Sequence, residues 1–185
     1  MELAPKSGPG YVRLGSAYWA NGRKDEALKA YQKAVDLNPY YWANHTALGN
    51  ACFRLGENDK ALSAYRWVTE LKPDNSTGYE NIAGVYFRQG KYNESVPMFK
   101  KALELSPRYD TYSNLGTTYF YLKRYNEAVE TFEKAVQATP TRNGPQGTLP
   151  RPTAGQGMWT RRGAPTTKPS PSAIRNFRSI PATRM

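Results

Sequence analysis

The chain of 185 residues contains few of the side chains from which catalytic and metal sites are built. It has one histidine, His45, and one cysteine, Cys52. A zinc site with two histidines, an internal disulfide and a pair of metal-binding thiols are therefore excluded. The glycines end helical segments and do not open a phosphate-binding loop after a strand. We expect no catalytic, cofactor-binding or metal-binding residues in this chain, and therefore no enzyme activity.

Long apolar runs are missing as well. The first residues, MELAPKSGPG, contain neither the basic segment nor the apolar segment of a secretory signal. No apolar run approaches the length that a membrane span requires. A lone cysteine is typical of a reducing compartment. These absences predict a cytoplasmic protein with no membrane partner.

Acidic residues are absent from the last part of the chain. Residues 142–185 hold eight of the 26 Lys and Arg residues, half of the 14 prolines and none of the 15 acidic residues. They therefore supply eight units of the formal net charge of +11. A segment of this composition cannot build an apolar core. We predict that residues 141–185 form a disordered basic tail rich in Pro, Gly and Arg.

The rest of the chain is a regular repeat. Its prolines close successive apolar segments at intervals of 34, 34, 34 and 33 residues, at Pro5, Pro39, Pro73, Pro107 and Pro140. Between these prolines recur pairs of segments, such as VRLGSAYWANG followed by KDEALKAYQKAV. A fixed period of this length is the signature of stacked supersecondary units.

Both segments of each unit have helical spacing. In the first segment a small residue comes one turn before an apolar or aromatic residue; the pairs are Gly15 and Tyr18, Gly49 and Cys52, Ala83 and Tyr86, and Gly116 and Tyr119. In the second segment a small residue comes four positions before an aromatic residue; the pairs are Ala27 and Tyr31, Ala61 and Tyr65, Ser95 and Phe99, and Ala128 and Phe132. These spacings place each pair on one helix face and predict closely packed helix pairs.

This pattern resembles the tetratricopeptide repeat family, and the resemblance covers residues 1–140 in one register. It implies an all-α, right-handed solenoid of four helix-turn-helix units, followed by the disordered C-terminal tail. The array spans residues 8–140, with units at about 8–41, 42–75, 76–108 and 109–140. Residues 1–7 align with the end of a preceding unit. We interpret them as the end of a truncated repeat and the chain as a fragment of a longer array.

The turns inside the units should differ in quality. Gly22, Gly56 and Gly90 supply the left-handed residue that ends a first helix at little conformational cost. The fourth unit has Lys123 at this place, so its turn should be less favourable. Pro97 lies inside the second helix of the third unit, and we expect it to shorten or kink that helix.

The resemblance also implies where a partner binds, because first helices line the concave surface of such arrays. An aromatic stripe is expected there, with polar and cationic side chains around it. The predicted peptide-binding residues are Trp19, Asn50, Phe53, Asn81, Phe87, Arg88, Asn114 and Phe120. Aromatic rings would take side chains of an extended peptide or partner helix, while the Asn amides would hold its backbone. Such aromatics can equally be part of the packing of the repeats.

Two other residues are assigned to packing. His45 stands where the other units have tyrosine, and Cys52 replaces a core aromatic residue, so both should be buried. The last helix, near Tyr125 to Ala138, has no following repeat within the array to cover it. We therefore expect exposed apolar residues on it, and self-association through this uncapped repeat is a possible consequence.

Three interpretations of the tail remain open. Its cations could bind nucleic acid, with Trp159 and Phe177 stacking on bases. It could be a plain disordered linker. It could also be out-of-frame translation: after a slip of one base near Thr141, residues 147–172 are compatible with NLAEAYRWAGDVDKARGTYDQAIAL, which matches residues 81–105 in length and polarity. We favour the third interpretation and expect no nucleic-acid partner.

The function predicted from these observations is a non-catalytic protein–protein interaction scaffold, whose partner is a protein or peptide held in the concave groove. One alternative is a recruiting or regulatory fragment of a larger bacterial signalling protein, such as a Ser/Thr kinase. The other is a nucleic-acid binder that uses the basic tail.

Overall fold

Eight helices make up residues 8–138, the part of the chain that the computed structural model describes. They are α1 Gly8–Ala20, α2 Lys24–Leu37, α3 Trp42–Leu55, α4 Asn58–Leu71, α5 Ser76–Arg88, α6 Tyr92–Leu105, α7 Tyr109–Tyr121 and α8 Tyr125–Gln137. No strand occurs within these residues. The truncated repeat predicted at residues 1–7 and the tail predicted at residues 141–185 lie outside them.

The helices form four hairpins that stack in chain order. Each first helix packs against its own second helix, as α1 does against α2, and each second helix packs against the first helix of the next hairpin. The buried residues form clusters that bridge neighbouring hairpins rather than one central core. This arrangement confirms the predicted all-α solenoid, in which each unit contacts only its neighbours.

The small residues of the first helices allow the close approach that their spacing predicts. A Cβ atom at Gly49 would lie 2.6 Å from Cε1 of Tyr65, and one at Gly15 would lie 2.7 Å from Cε1 of Tyr31. Carbon atoms do not approach so closely without displacement. Glycine at these positions lets the aromatic ring of the second helix lie directly against the first helix.

The turns within the hairpins follow the prediction made from their glycines. Gly22, Gly56 and Gly90 all have positive φ angles, of 78°, 85° and 74°. Lys123 takes their place in the fourth hairpin with a φ of 60°, and it is the one non-glycine residue of the described chain in this region. A side chain in the left-handed region carries a steric cost, so this turn is the less favourable one.

Pro97 does not have the predicted shortening effect. Helix α6 contains 14 residues, as α2 and α4 do. A proline in the interior of a helix removes one backbone hydrogen bond and crowds the preceding turn. Packing of the buried residues on both sides of Pro97, Val96 and Phe99 among them, holds α6 helical at full length.

His45 and Cys52 are both buried, as predicted. Nε2 of His45 lies 2.6 Å from the backbone oxygen of Pro39, and its ring stacks on Trp67 with 5.8 Å between centroids. The thiol of Cys52 is free, and burial raises its pKa. A thiol with a raised pKa forms less of the nucleophilic thiolate, so Cys52 acts as a small apolar core residue.

The connection between α6 and α7 is the shortest of the three that join successive hairpins. Polar side chains beside it contact α5. Glu80 of α5 accepts hydrogen bonds from the guanidinium of Arg108 and from the hydroxyl of Thr111, the latter at 3.3 Å. Burial raises the pKa of Glu80, whereas the charge of Arg108 opposes that rise. These contacts hold the start of α7 against α5 across the inter-repeat turn.

Candidate interaction surface

Two aromatic residues of the predicted stripe are covered by arginine side chains from the next hairpin. The Cζ atom of Arg54 lies 4.3 Å from the ring centroid of Trp19. The Cζ atom of Arg88 lies 3.5 Å from the ring centroid of Phe53. Arg54 directly follows Phe53, and Arg88 directly follows Phe87. The Arg88–Phe53 contact is therefore the Arg54–Trp19 contact repeated one unit further along the chain. Each contact is a cation–π interaction between neighbouring repeats.

The third aromatic residue is covered in the same register by another ring. Phe87 contacts Tyr121 edge to face, with 5.4 Å between the centroids, and Tyr121 occupies the place that Arg88 has in the preceding repeat. Tyr92, at the start of α6, stacks on Tyr121 at 5.1 Å. We call this series of inter-repeat contacts the ring ladder; its members are Trp19, Arg54, Phe53, Arg88, Phe87 and Tyr121.

Phe120 has the fourth place in the aromatic stripe, after Trp19, Phe53 and Phe87, and lies just beyond the ring ladder. Its partners are Tyr121, the residue after it, and Tyr125 at the start of α8, with centroids 6.4 and 5.6 Å away. No residue of a following repeat covers Phe120 within residues 8–138. Its side chain is therefore 58% exposed, and Tyr121 and Tyr125 beside it are also exposed.

Phe53 does not lie on an open surface, contrary to the prediction. It is only 5% exposed and belongs to the same core cluster as Tyr65. Arg88 stacks on the ring and also donates hydrogen bonds to the backbone oxygen of Phe53 and to the side chain of Asn58. Burial lowers the pKa of Arg88. Phe53 and Arg88 therefore join two repeats.

Asn50 is occupied by a contact inside its own hairpin. Its side-chain oxygen accepts a hydrogen bond of 2.8 Å from the hydroxyl of Tyr65. The hydroxyls of Ser16 and Tyr31 lie 3.2 Å apart at the equivalent place in the first hairpin. The third and fourth hairpins have Phe in the second helix, and their first helices carry Gly84 and Thr117 at this place. A polar partner on the first helix thus accompanies each tyrosine hydroxyl.

Asn81 and Asn114 differ from Asn50 in this respect. They occupy equivalent positions on α5 and α7, and both side chains are half-buried. Within the described residues, neither amide group has a hydrogen-bond partner. Each amide can therefore both donate to and accept from the backbone of a ligand.

The structure brings two predicted site residues, Phe87 and Phe120, together with three tyrosines that the sequence prediction did not name. Phe87, Tyr92, Phe120, Tyr121 and Tyr125 form a connected group, which we call the aromatic cluster. The available signal was the position of Tyr121, where the two preceding repeats have arginine. The cluster lies at the ends of α5 and α7 and at the starts of α6 and α8.

Other kinds of site lack support in the described residues. No group of three or more His, Cys, Asp or Glu side chains is arranged to hold a metal ion within residues 8–138. Among the helices of this part of the chain, none combines the length and the apolar character needed to cross a membrane. The cations of the nucleic-acid hypothesis lie outside the described residues.

The chain belongs to the tetratricopeptide repeat family. Two family models described as tetratricopeptide repeat match residues 12–76 and 74–141. A protein from Mycosarcoma maydis, small glutamine-rich tetratricopeptide repeat-containing protein 2, is 47% identical over 38 residues. That match covers 20% of this chain and 11% of the relative, so the chain spans about a tenth of the relative's length.

Solved structures of MamA have a similar fold. A crystal structure of MamA matches with a TM-score of 0.67 at 24% identity, over 73% of this chain and 80% of MamA. MamA from Desulfovibrio magneticus RS-1 matches with a TM-score of 0.68 at 17% identity, over 76% and 80% of the two chains. At this identity the likeness shows the fold alone.

Proposed function

We propose that the chain is a non-catalytic scaffold that binds an extended peptide or a partner helix on the concave surface formed by its first helices. Membership of the tetratricopeptide repeat family supports a protein-interaction scaffold in general. The observation that carries the specific proposal is the exposure of Phe120, 58%, at the end of an aromatic stripe whose earlier rings are covered. Tyr121 and Tyr125 are exposed beside it, and a contiguous exposed aromatic patch is typical of an interaction site.

The aromatic cluster and the two unpartnered amides have complementary roles in this proposal. Phe120 and Tyr121 offer ring faces and edges to an apolar or aromatic side chain of the partner. Asn81 and Asn114, one repeat apart, hold its backbone by paired hydrogen bonds. Aromatic anchors flanked by polar groups dominate the energetics of most interfaces.

The other predicted residues act at a distance from this centre. Trp19 is half-buried under Arg54 and provides a further contact at the N-terminal end of the surface. Phe53 and Arg88 keep successive first helices in register, so their influence on binding is indirect. The hydroxyl of Tyr65 already bonds to the side-chain oxygen of Asn50, so a partner can use only the remaining hydrogen-bonding capacity of that amide.

A peptide selection tests the proposal. The full chain is used to select binders from a random library of peptides of about 12 residues, and the affinity of a selected peptide is measured by fluorescence anisotropy. We expect Phe120→Ala and Asn114→Ala each to weaken binding by about tenfold or more. Lys101→Ala serves as the matched control, because Lys101 is an exposed residue of the second helix α6.

Circular dichroism of each variant separates loss of binding from loss of structure. The exposed position of Phe120 predicts an unchanged helical signal for its alanine variant. If the selected peptides bind Phe120→Ala and Asn114→Ala as tightly as the parent chain, the partner uses another face and the proposal is wrong.

A further inference from the structure

The interface between consecutive hairpins is built in the same way each time, and its best example lies between α6 and α7. Val96, Phe99 and Leu103 of α6 are buried there in one cluster with Leu115 and Tyr119 of α7. The second helix supplies a stripe of large apolar residues, and the first helix of the next hairpin covers it. The α2–α3 and α4–α5 pairs pack in the same order.

Helix α8 carries the first half of this interface, and no helix among residues 8–138 covers it. Val129, Phe132 and Val136 occupy the places that Val96, Phe99 and Leu103 have in α6. Their exposed fractions are 57%, 37% and 71%, which confirms the apolar exposure predicted for the last helix. A stripe of this length on one helix face is larger than isolated surface apolar residues and marks an interaction site.

Helix α1 carries the second half. Leu14, Ala17 and Tyr18 occupy the places that Leu115, Thr118 and Tyr119 have in α7, and the Leu and Tyr residues are the same in both helices. Thr118 is buried in α7, and so are its counterparts Ala51 and Val85 in α3 and α5, whereas Ala17 is exposed. Leu14 and Tyr18 are only partly buried. The covering face of α1 therefore has nothing to cover within the described chain.

The charges favour pairing of unlike ends over pairing of like ends. Helix α8 contains three Glu and one Lys, a net charge of −2. Helix α1 contains one Arg and no acidic residue, a net charge of +1. Two α8 helices in contact would bring charges of the same sign together, whereas α8 against α1 brings opposite charges together.

We propose that copies of this chain associate head to tail, with α1 of one copy covering the α8 stripe of another and continuing the solenoid. The contact is heterologous, because the two copies contribute different surfaces. An interface of this kind does not close on itself unless its rotation makes a ring, so assembly grows with concentration beyond a dimer. This surface adjoins the aromatic cluster, because a following α1 would bring Ala20, which has the place of Tyr121, next to Phe120.

Two variants, each disabled at one end, test this assignment on the full chain. Val136→Glu places a carboxylate in the α8 stripe, and Ala17→Glu places one on the covering face of α1. Both positions are exposed, so folding should persist by circular dichroism. Gln137→Glu adds the same charge beside the stripe and is the control. Molar mass is measured by light scattering after size exclusion, from about 1 µM to about 1 mM.

We expect the parent chain and Gln137→Glu to gain mass with concentration beyond that of a dimer. Each end variant alone should stay monomeric, with self-association weakened by about 30-fold or more. An equimolar mixture of the two should give a dimer that grows no further, because each variant keeps one intact end. A parent chain that is monomeric throughout would overturn the proposal, and so would a dimer that Ala17→Glu leaves intact, since that dimer would pair α8 with α8.

Discussion

The phenolic hydroxyl of Tyr65 donates a hydrogen bond of 2.8 Å to the side-chain oxygen of Asn50. The Tyr65 side chain is fully buried, and burial raises the pKa of its phenol, so the hydroxyl remains protonated and requires an acceptor. The sequence pattern places Asn50 among the ligand-binding residues. In the structure its hydrogen bond joins the two helices of its own hairpin.

We expect Asn50→Ala to lower the free energy of unfolding by about 1–3 kcal/mol, because it leaves a buried hydroxyl without an acceptor. Tyr65→Phe should cost less, since the half-buried Asn50 can bond to water. The double variant should be more stable than the sum of the two single losses predicts. Urea unfolding followed by circular dichroism measures all three. Strict additivity would mean that the hydrogen bond adds nothing to stability.

The sequence predicted the hairpins well because their determinants are local. The packing of Tyr65 against Gly49 follows from spacings within one unit, and these spacings recur in each unit. The covering of Phe53 by Arg88 was not predictable in this way, because it joins residues 35 positions apart in different repeats. A stripe of aromatic residues has the same pattern in the sequence whether its rings are open or covered.

Exchange of the residues at the tight turns should change stability in opposite directions. Lys123→Gly should raise the free energy of unfolding by up to about 1 kcal/mol, because glycine adopts a positive φ without steric cost. The reverse change, Gly56→Lys, should lower it by about 1–2 kcal/mol. No atom lies within 4 Å of a Cβ built at Gly56, so the backbone angle alone decides the effect there. Thermal unfolding of both variants checks the signs, and a stabilised Gly56→Lys would contradict this account.

Arg88 should matter more for stability than Arg54, although both cover a ring. Arg88→Ala removes a cation–π contact and two hydrogen bonds, and should cost about 2 kcal/mol of unfolding free energy. Arg88→Lys should recover little, because an ammonium group cannot stack on Phe53 and bridge both acceptors together. Arg54→Ala, at an exposed site over Trp19, should cost about 0.5–1 kcal/mol. If urea unfolding shows that Arg88→Ala and Arg54→Ala lose the same free energy of unfolding, the burial of Phe53 under Arg88 adds no stability.

Glu80 should make stability depend on pH in the sense opposite to most surface carboxylates. Burial raises its pKa above the ordinary value of 4.5, and the Arg108 contact only partly opposes this. A raised pKa in the folded state gives stability that is present below the ordinary value and is lost as pH rises through the folded one.

The comparison of the parent chain with Glu80→Gln isolates this effect. The free energy of unfolding of the parent, relative to the variant, should be more favourable at about pH 4 than at about pH 7. Glu26→Gln is the control of opposite sign, because the hydrogen bond from Arg23 lowers the pKa of Glu26. Urea unfolding at a series of pH values gives both differences. If the parent loses stability relative to Glu80→Gln on acidification, the ion pair with Arg108 outweighs burial, and the raised pKa assigned to Glu80 is wrong.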